Sequence, residues 1–85
     1  MLVNNLFEVY PNPSQGKFTL KLESETNTEF EISITNLSGQ VMMVRTIEVY
    51  SELLETLDLT HFDAGIYLMK VRTTDHIQIE KLIIE

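Results

Sequence analysis

The residues best suited to chemistry sit in one short stretch, Leu57-Asp58-Leu59-Thr60-His61-Phe62-Asp63-Ala64-Gly65. Asp58, His61 and Asp63 are the donor types that hold a divalent cation or activate a water molecule. The same stretch reads as a single tight helical turn closed by Gly65, with the carboxylates capping it and His61 exposed. That second reading is preferred, because no further donor lies nearby. His76 follows Asp75 in a turn sequence, where such pairs satisfy turn hydrogen bonds rather than transfer protons. None of the five serines sits in a Gly-x-Ser-x-Gly elbow. Gly16, Gly39 and Gly65 are isolated, so no phosphate-cradling loop is present in the sequence. The chain has no cysteine, which removes disulfides, zinc–thiolate sites and thiol catalysis. Asn36-Leu37-Ser38 matches the glycosylation sequon, a motif too short to carry weight. The expectation is therefore a domain with no catalytic residue, no metal and no cofactor.

Composition narrows the partners. The chain has 85 residues, of which 44% are hydrophobic and 22% charged. One core can form at that size but a second cannot. Six Lys and Arg against 13 Asp and Glu give a net charge of −7, and such a surface repels nucleic acid. Glu23, Glu25, Glu29 and Glu31 crowd one segment without an intervening cation and read as a solvated loop and strand face. The longest apolar runs, Val41 to Val44 and Ile66 to Met69, have four residues each, against the roughly 20 that a membrane-spanning helix needs. Met1-Leu2-Val3-Asn4-Asn5 has neither the basic flank nor the apolar stretch of an export signal. The expectation is either a cytosolic protein or a piece of a longer exported chain.

The elements that must position these residues are strands. Apolar residues alternate through Phe18, Leu20 and Leu22, and again through Phe30, Ile32 and Ile34, which predicts strands over 17–23 and 29–35. Asn36-Leu37-Ser38-Gly39-Gln40 is a hairpin loop with Gly39 supplying positive φ. In the strand that follows, Val41, Met43 and Ile47 share one side and Met42 and Val44 the other, predicting that both faces are covered. Tyr50, Leu53, Leu54 and Leu57 fit a helical spacing, with Ser51 as a possible cap, but Leu57, Asp58, Leu59 and Thr60 alternate, so residues 54–60 are assigned to a strand. Tyr67, Met69 and Val71 alternate in the next one. In the last, Ile77 and Ile79 are out of phase with Leu82 and Ile84, which predicts a β-bulge at Glu80-Lys81 that returns all four to one face. With Phe7 and Val9 ahead of the Pro11-Asn12-Pro13 break, the count is seven short strands, and the fold class is an all-β, antiparallel, Ig-like sandwich. Its core is expected to contain Phe18, Leu20, Phe30, Ile32, Ile34, Leu57, Leu59, Tyr67, Met69 and Val71.

Four segments carry a family resemblance. They are Val9-Tyr10-Pro11-Asn12-Pro13-Ser14-Gln15-Gly16-Lys17-Phe18; Ile34 to Val41; Leu57-Asp58-Leu59-Thr60 with Gly65-Ile66-Tyr67; and Lys81-Leu82-Ile83-Ile84. In this order and spacing the chain, from about residue 7 to residue 85, resembles the type A C-terminal sorting domain of cargo proteins of the bacterial type IX secretion system. The resemblance implies that the domain follows a passenger protein, directs it through the outer-membrane translocon of a Gram-negative bacterium, and is then removed by a surface sortase, leaving the passenger secreted or at the cell surface. The domain would be a substrate and not an enzyme, with residues 1–6 a linker remnant. Recognition is expected at Lys81, Leu82, Ile83, Ile84 and Glu85. The family usually ends in a basic residue, a role that Lys81 matches and Glu85 does not. Pro11, Asn12, Pro13, Gly16, Gly39, Gly65 and Tyr67 are expected to serve folding. The two prolines in particular should turn the chain without offering an edge for pairing. The alternative is a small adhesive or carbohydrate-binding sandwich, but there is no Trp and Tyr10, Tyr50 and Tyr67 read as structural.

Overall fold

A computed structural model describes residues 7–85. Those residues form seven antiparallel strands and no helix: β1 (Phe7–Tyr10), β2 (Lys17–Glu23), β3 (Thr28–Asn36), β4 (Val41–Val49), β5 (Glu52–Asp58), β6 (Gly65–Arg72) and β7 (Ile77–Ile84). They make two sheets, ordered β1-β2-β5 and β4-β3-β6-β7. The period-2 pattern works as it should: Phe18, Leu20 and Leu22 of β2 face Phe30, Ile32 and Ile34 of β3 and Tyr67, Met69 and Val71 of β6 across one shared core. All ten expected core residues are buried, and Phe7, Leu22, Val49, Leu82 and Ile84 join them. Residues 1–6, read above as linker, lie outside the described residues.

The helix that competed for residues 50–57 does not form. Residues from Glu52 pair with β2 in continuous register, Glu23 opposite Glu52 through Lys17 opposite Asp58, so backbone donors that a helix would satisfy internally are satisfied across the sheet. Leu53 and Leu57 face inward while Leu54 is exposed. Glu55 shares the inward phase and meets Arg45 of β4 at 3.2 Å, closing the seam between edge strands of the two sheets.

Two expectations about phase are corrected. First, β7 has no bulge: its pairing with β6 runs without a shift from Arg72 opposite Ile77 to Gly65 opposite Ile84. Leu82 and Ile84 point inward, and Ile77 and Ile79 stay on the outer face, exposed at 61% and 59%. The register shift falls between Ile34 and Thr35 in the β3–β4 pair instead. Second, β4 is covered on one face only, because Met43, Arg45, Ile47 and Val49 point inward while Val41, Met42 and Val44 are exposed. A run of four apolar residues cannot distinguish a two-faced strand from a one-faced strand at a sheet edge.

Candidate functional site

The four motif segments, far apart in sequence, meet at one end of the sandwich. Strands β1, β3, β5 and β7 all finish at this end. Asn36 at the end of β3 stands opposite Tyr67, Tyr67 stands opposite Leu82, and Gly65 stands opposite Ile84. The β1–β2 connection, Pro11 to Gly16, lies across this end and grips two strands at once.

Its first grip is on β7. Asn12 Nδ2 donates to the Lys81 carbonyl at 2.6 Å, and Asn12 Oδ1 accepts the Ile83 N–H at 3.0 Å. A side-chain amide thus does what a neighbouring strand's peptide group would do. Ser14 continues the pairing with its backbone, donating to the Ile83 carbonyl at 3.0 Å and accepting the Glu85 N–H at 2.8 Å, as a parallel bridge to Ile84. Pro11 and Pro13 have no N–H to contribute, so the pairing falls to Asn12 and Ser14. The prolines themselves offer no backbone edge, and the segment covers the outer edge of the last strand through the Asn12 side chain and the Ser14 backbone. Ser14 is the one buried polar residue among those described. Its hydroxyl donates to the Lys17 carbonyl at 2.6 Å and accepts the Gly16 N–H at 2.9 Å, so burial leaves no polar atom unsatisfied.

The second grip is on the end of β5. Leu59 N–H donates to the Gly16 carbonyl at 2.7 Å. Gly16 has φ +118°, and a Cβ there would lie 2.8 Å from the Thr60 Cα, so a glycine is required both for conformation and for closeness. Gly39 also has positive φ, +92°, but faces open space. Asn36 holds that loop by accepting the N–H groups of Ser38 and Gln40 at 3.0 and 2.9 Å. The Tyr67 hydroxyl donates to the Asp63 carbonyl at 2.7 Å, and its ring lies 5.4 Å from that of Phe62. This is the work of the Gly-x-Tyr motif: a buried ring with its polar tip tied to the preceding turn.

The residues that suggested chemistry are used for structure. Asp58 Oδ1 accepts the Thr60 hydroxyl at 2.7 Å and the Thr60 N–H at 3.1 Å. The Thr60 hydroxyl and then its N–H hold the Asp58 carboxyl below its ordinary pKa. His61 is exposed and meets the Phe62 ring edge-on at 4.9 Å. Among the described residues no three His, Asp or Glu side chains come together as a metal-binding group. Across the outer face of the smaller sheet Lys21 stands 3.3 Å from Glu52 and 3.7 Å from Glu23. The hydrogen bond that Lys21 donates to Glu52, then the charge of Glu23, raises its pKa. Of the acidic run, Glu23 meets Lys21 and Glu31 pairs with Arg72, while Glu25 and Glu29 are exposed.

The expected recognition residues occupy one strand end with alternating fates. Lys81 and Glu85 are exposed, Leu82 and Ile84 are buried, and Ile83 is half-buried. Sequence reasoning missed Ser14 and Thr60, whose importance comes only from contacts made after folding, and it missed the pairing role of Asn12. An amide flanked by two residues without N–H groups is the signal that pointed there. Tyr10 and Tyr50, read as structural, are exposed at 44% and 69%. They sit at opposite ends of the smaller sheet, since Tyr10 is opposite Thr19 while Tyr50 precedes the Glu23–Glu52 pair, so they form no shared platform.

Fold and motif geometry together define a small β-sandwich module whose β1–β2 turn secures the terminal strand. A family model for the secretion system C-terminal sorting domain matches residues 8–85, and the chain belongs to that family, the sorting domains of type IX secretion. A search of curated proteins found no match. Membership implies a sorting-signal role in secretion across the bacterial outer membrane. No helix among the described residues is long and apolar enough to cross a membrane.

Proposed function

We propose that this domain delivers a passenger fused ahead of it to the outer-membrane type IX translocon, that the machinery reads Lys81 to Glu85, and that a surface sortase then removes the domain. The reading also holds that the domain catalyses nothing itself and uses no cofactor. What supports it is the clamp on the last strand. Asn12 and Ser14 hold the backbone from Lys81 to Glu85 in one conformation, which presents the Lys81 side chain outward at low entropic cost to a receptor. The adhesive alternative has no comparable support, because the two exposed tyrosines are not adjacent.

Point substitutions test it. Lys81→Ala removes an exposed charge with no partner among the described residues, so the melting temperature should hold while the passenger at the cell surface falls. Leu82→Ala empties a buried site, at about 2–5 kcal/mol, and should lower both. Normal export of a Lys81→Ala fusion would overturn recognition through Lys81.

A further inference from the structure

The clamp covers only half of the β7 edge. Ile83 donates to Asn12 and accepts from Ser14, so its backbone points away from β6. The two-residue period places the backbone groups of Lys81, Ile79 and Ile77 on that same outer edge. The Lys81 carbonyl is taken by Asn12. The Lys81 N–H and both backbone groups of Ile79 and Ile77 have no partner among the described residues.

The face beside this open half differs from the rest of a chain with net charge −7. The outward cross-strand pairs of β6 and β7 are Arg72 with Ile77, Lys70 with Ile79, and Leu68 with Lys81. Each sets a cation against an aliphatic side chain. The fourth pair, Ile66 with Ile83, is aliphatic, and Gln78 and Glu80 lie on the opposite, inward phase. Half of the chain's six cations are therefore on this one hairpin face; Arg72 is already paired with Glu31 of β3, which leaves Lys70 and Lys81, and none of the side chains in these four pairs is a carboxylate. An unpaired edge of this kind is a template for another strand.

We propose that the open half of the β7 edge, Ile77 to Lys81, takes up an extended, carboxylate-bearing strand of a partner protein. The added strand would bond to the free backbone groups, set apolar side chains beside Ile77 and Ile79, and aim carboxylates at Lys70 and Lys81. Backbone pairing supplies the grip and alternate side chains the selectivity, while the opposite charges favour this face over the acidic remainder of the domain. The Asn12–Ser14 clamp ends the docking site, because beyond Lys81 the edge is already occupied. The identity of the partner as part of the secretion machinery rests on the sorting-signal reading; the site itself does not.

The test is export of a reporter fused ahead of the full chain in a bacterium with a type IX system. Ile79→Pro deletes one outward N–H and no ladder bond to β6, a change edge strands tolerate. It should lower surface reporter about tenfold, as loss of one strand-pairing bond and its neighbours predicts, with an unchanged fold by circular dichroism. Ile79→Thr, which keeps the N–H but gives up part of the apolar contact, should lower export by clearly less than Ile79→Pro does. Lys70→Glu, a fold-neutral surface change, should lower export several-fold by opposing carboxylates on the partner. Normal export by a folded Ile79→Pro chain overturns the proposal, and if Lys81→Ala still blocks export the sorting reading survives that result. Normal Ile79→Pro with failing Lys70→Glu would point to an anionic lipid surface and likewise overturn strand docking. Should Ile79→Pro not fold, normal export of Lys70→Glu overturns it.

Discussion

Replacing Asn12 by alanine removes both hydrogen bonds that this side chain makes to the last strand, to Lys81 O at 2.6 Å and from Ile83 N at 3.0 Å. Each neutral bond of this type contributes about 0.5–1.5 kcal/mol, so the pair contributes about 1–3 kcal/mol. Both groups lie near solvent, and water replaces part of the loss, which places the expected cost in the lower half of that range. The effect is local, because the β6–β7 ladder and the burial of Leu82 and Ile84 are untouched. Amide hydrogen exchange is the assay suited to it. Opening free energy sets the protection, and tenfold in exchange corresponds to about 1.4 kcal/mol, so the Ile83 amide should exchange roughly tenfold faster in Asn12→Ala. The Glu85 amide, bonded to the Ser14 carbonyl, should follow by a smaller factor, while Met69 and Val71 in the interior of β6 should not change. Unaltered exchange at Ile83 would refute the claim that Asn12 acts as a surrogate strand. Equal acceleration throughout β6 and β7 would refute the claim that its effect is confined to the edge.

Gly16→Ala should destabilise the domain by about 2–5 kcal/mol, the sum of about 1–2 kcal/mol for a side chain at positive φ and about 1–3 kcal/mol for the forced shift against Thr60. Gly39→Ala meets open space and should cost only the first of these. Urea denaturation with unchanged m-values compares the two, and equal costs would show that the approach to Thr60 is unimportant. Tyr67→Phe should lower stability by about 1 kcal/mol, roughly 4–8 °C in Tm for a domain of this size, by removing the bond to Asp63. Asp58 has a depressed carboxyl pKa, so its contribution is present above the unfolded value of about 3.9 and is lost as pH falls through the folded one. The Tm gap between wild type and Asp58→Ala should therefore be widest near neutral pH and shrink in acid; a gap that grew below pH 4 would contradict the Thr60 assignment.

Class, strand count and most of the core were legible because alternation is a local property: once Phe18, Leu20 and Leu22 must share a side, a sheet surface is the only element that puts them there. Gly39 was legible for the same reason, since a tight hairpin demands positive φ within a few residues. The family was legible from four segments in order. Tertiary structure alone decided what those segments do. The clash that makes Gly16 necessary lies with Thr60, and the groups Asn12 serves belong to Lys81 and Ile83; no local pattern connects residues so far apart. The phase of Ile77 and Ile79 was not legible, because their apolar side chains favour burial and nothing local marks the outer face. In a sheet the register with the neighbouring strand fixes every side chain at once. Burying Leu82 and Ile84 left the other two outside, on the edge where the sandwich remains open.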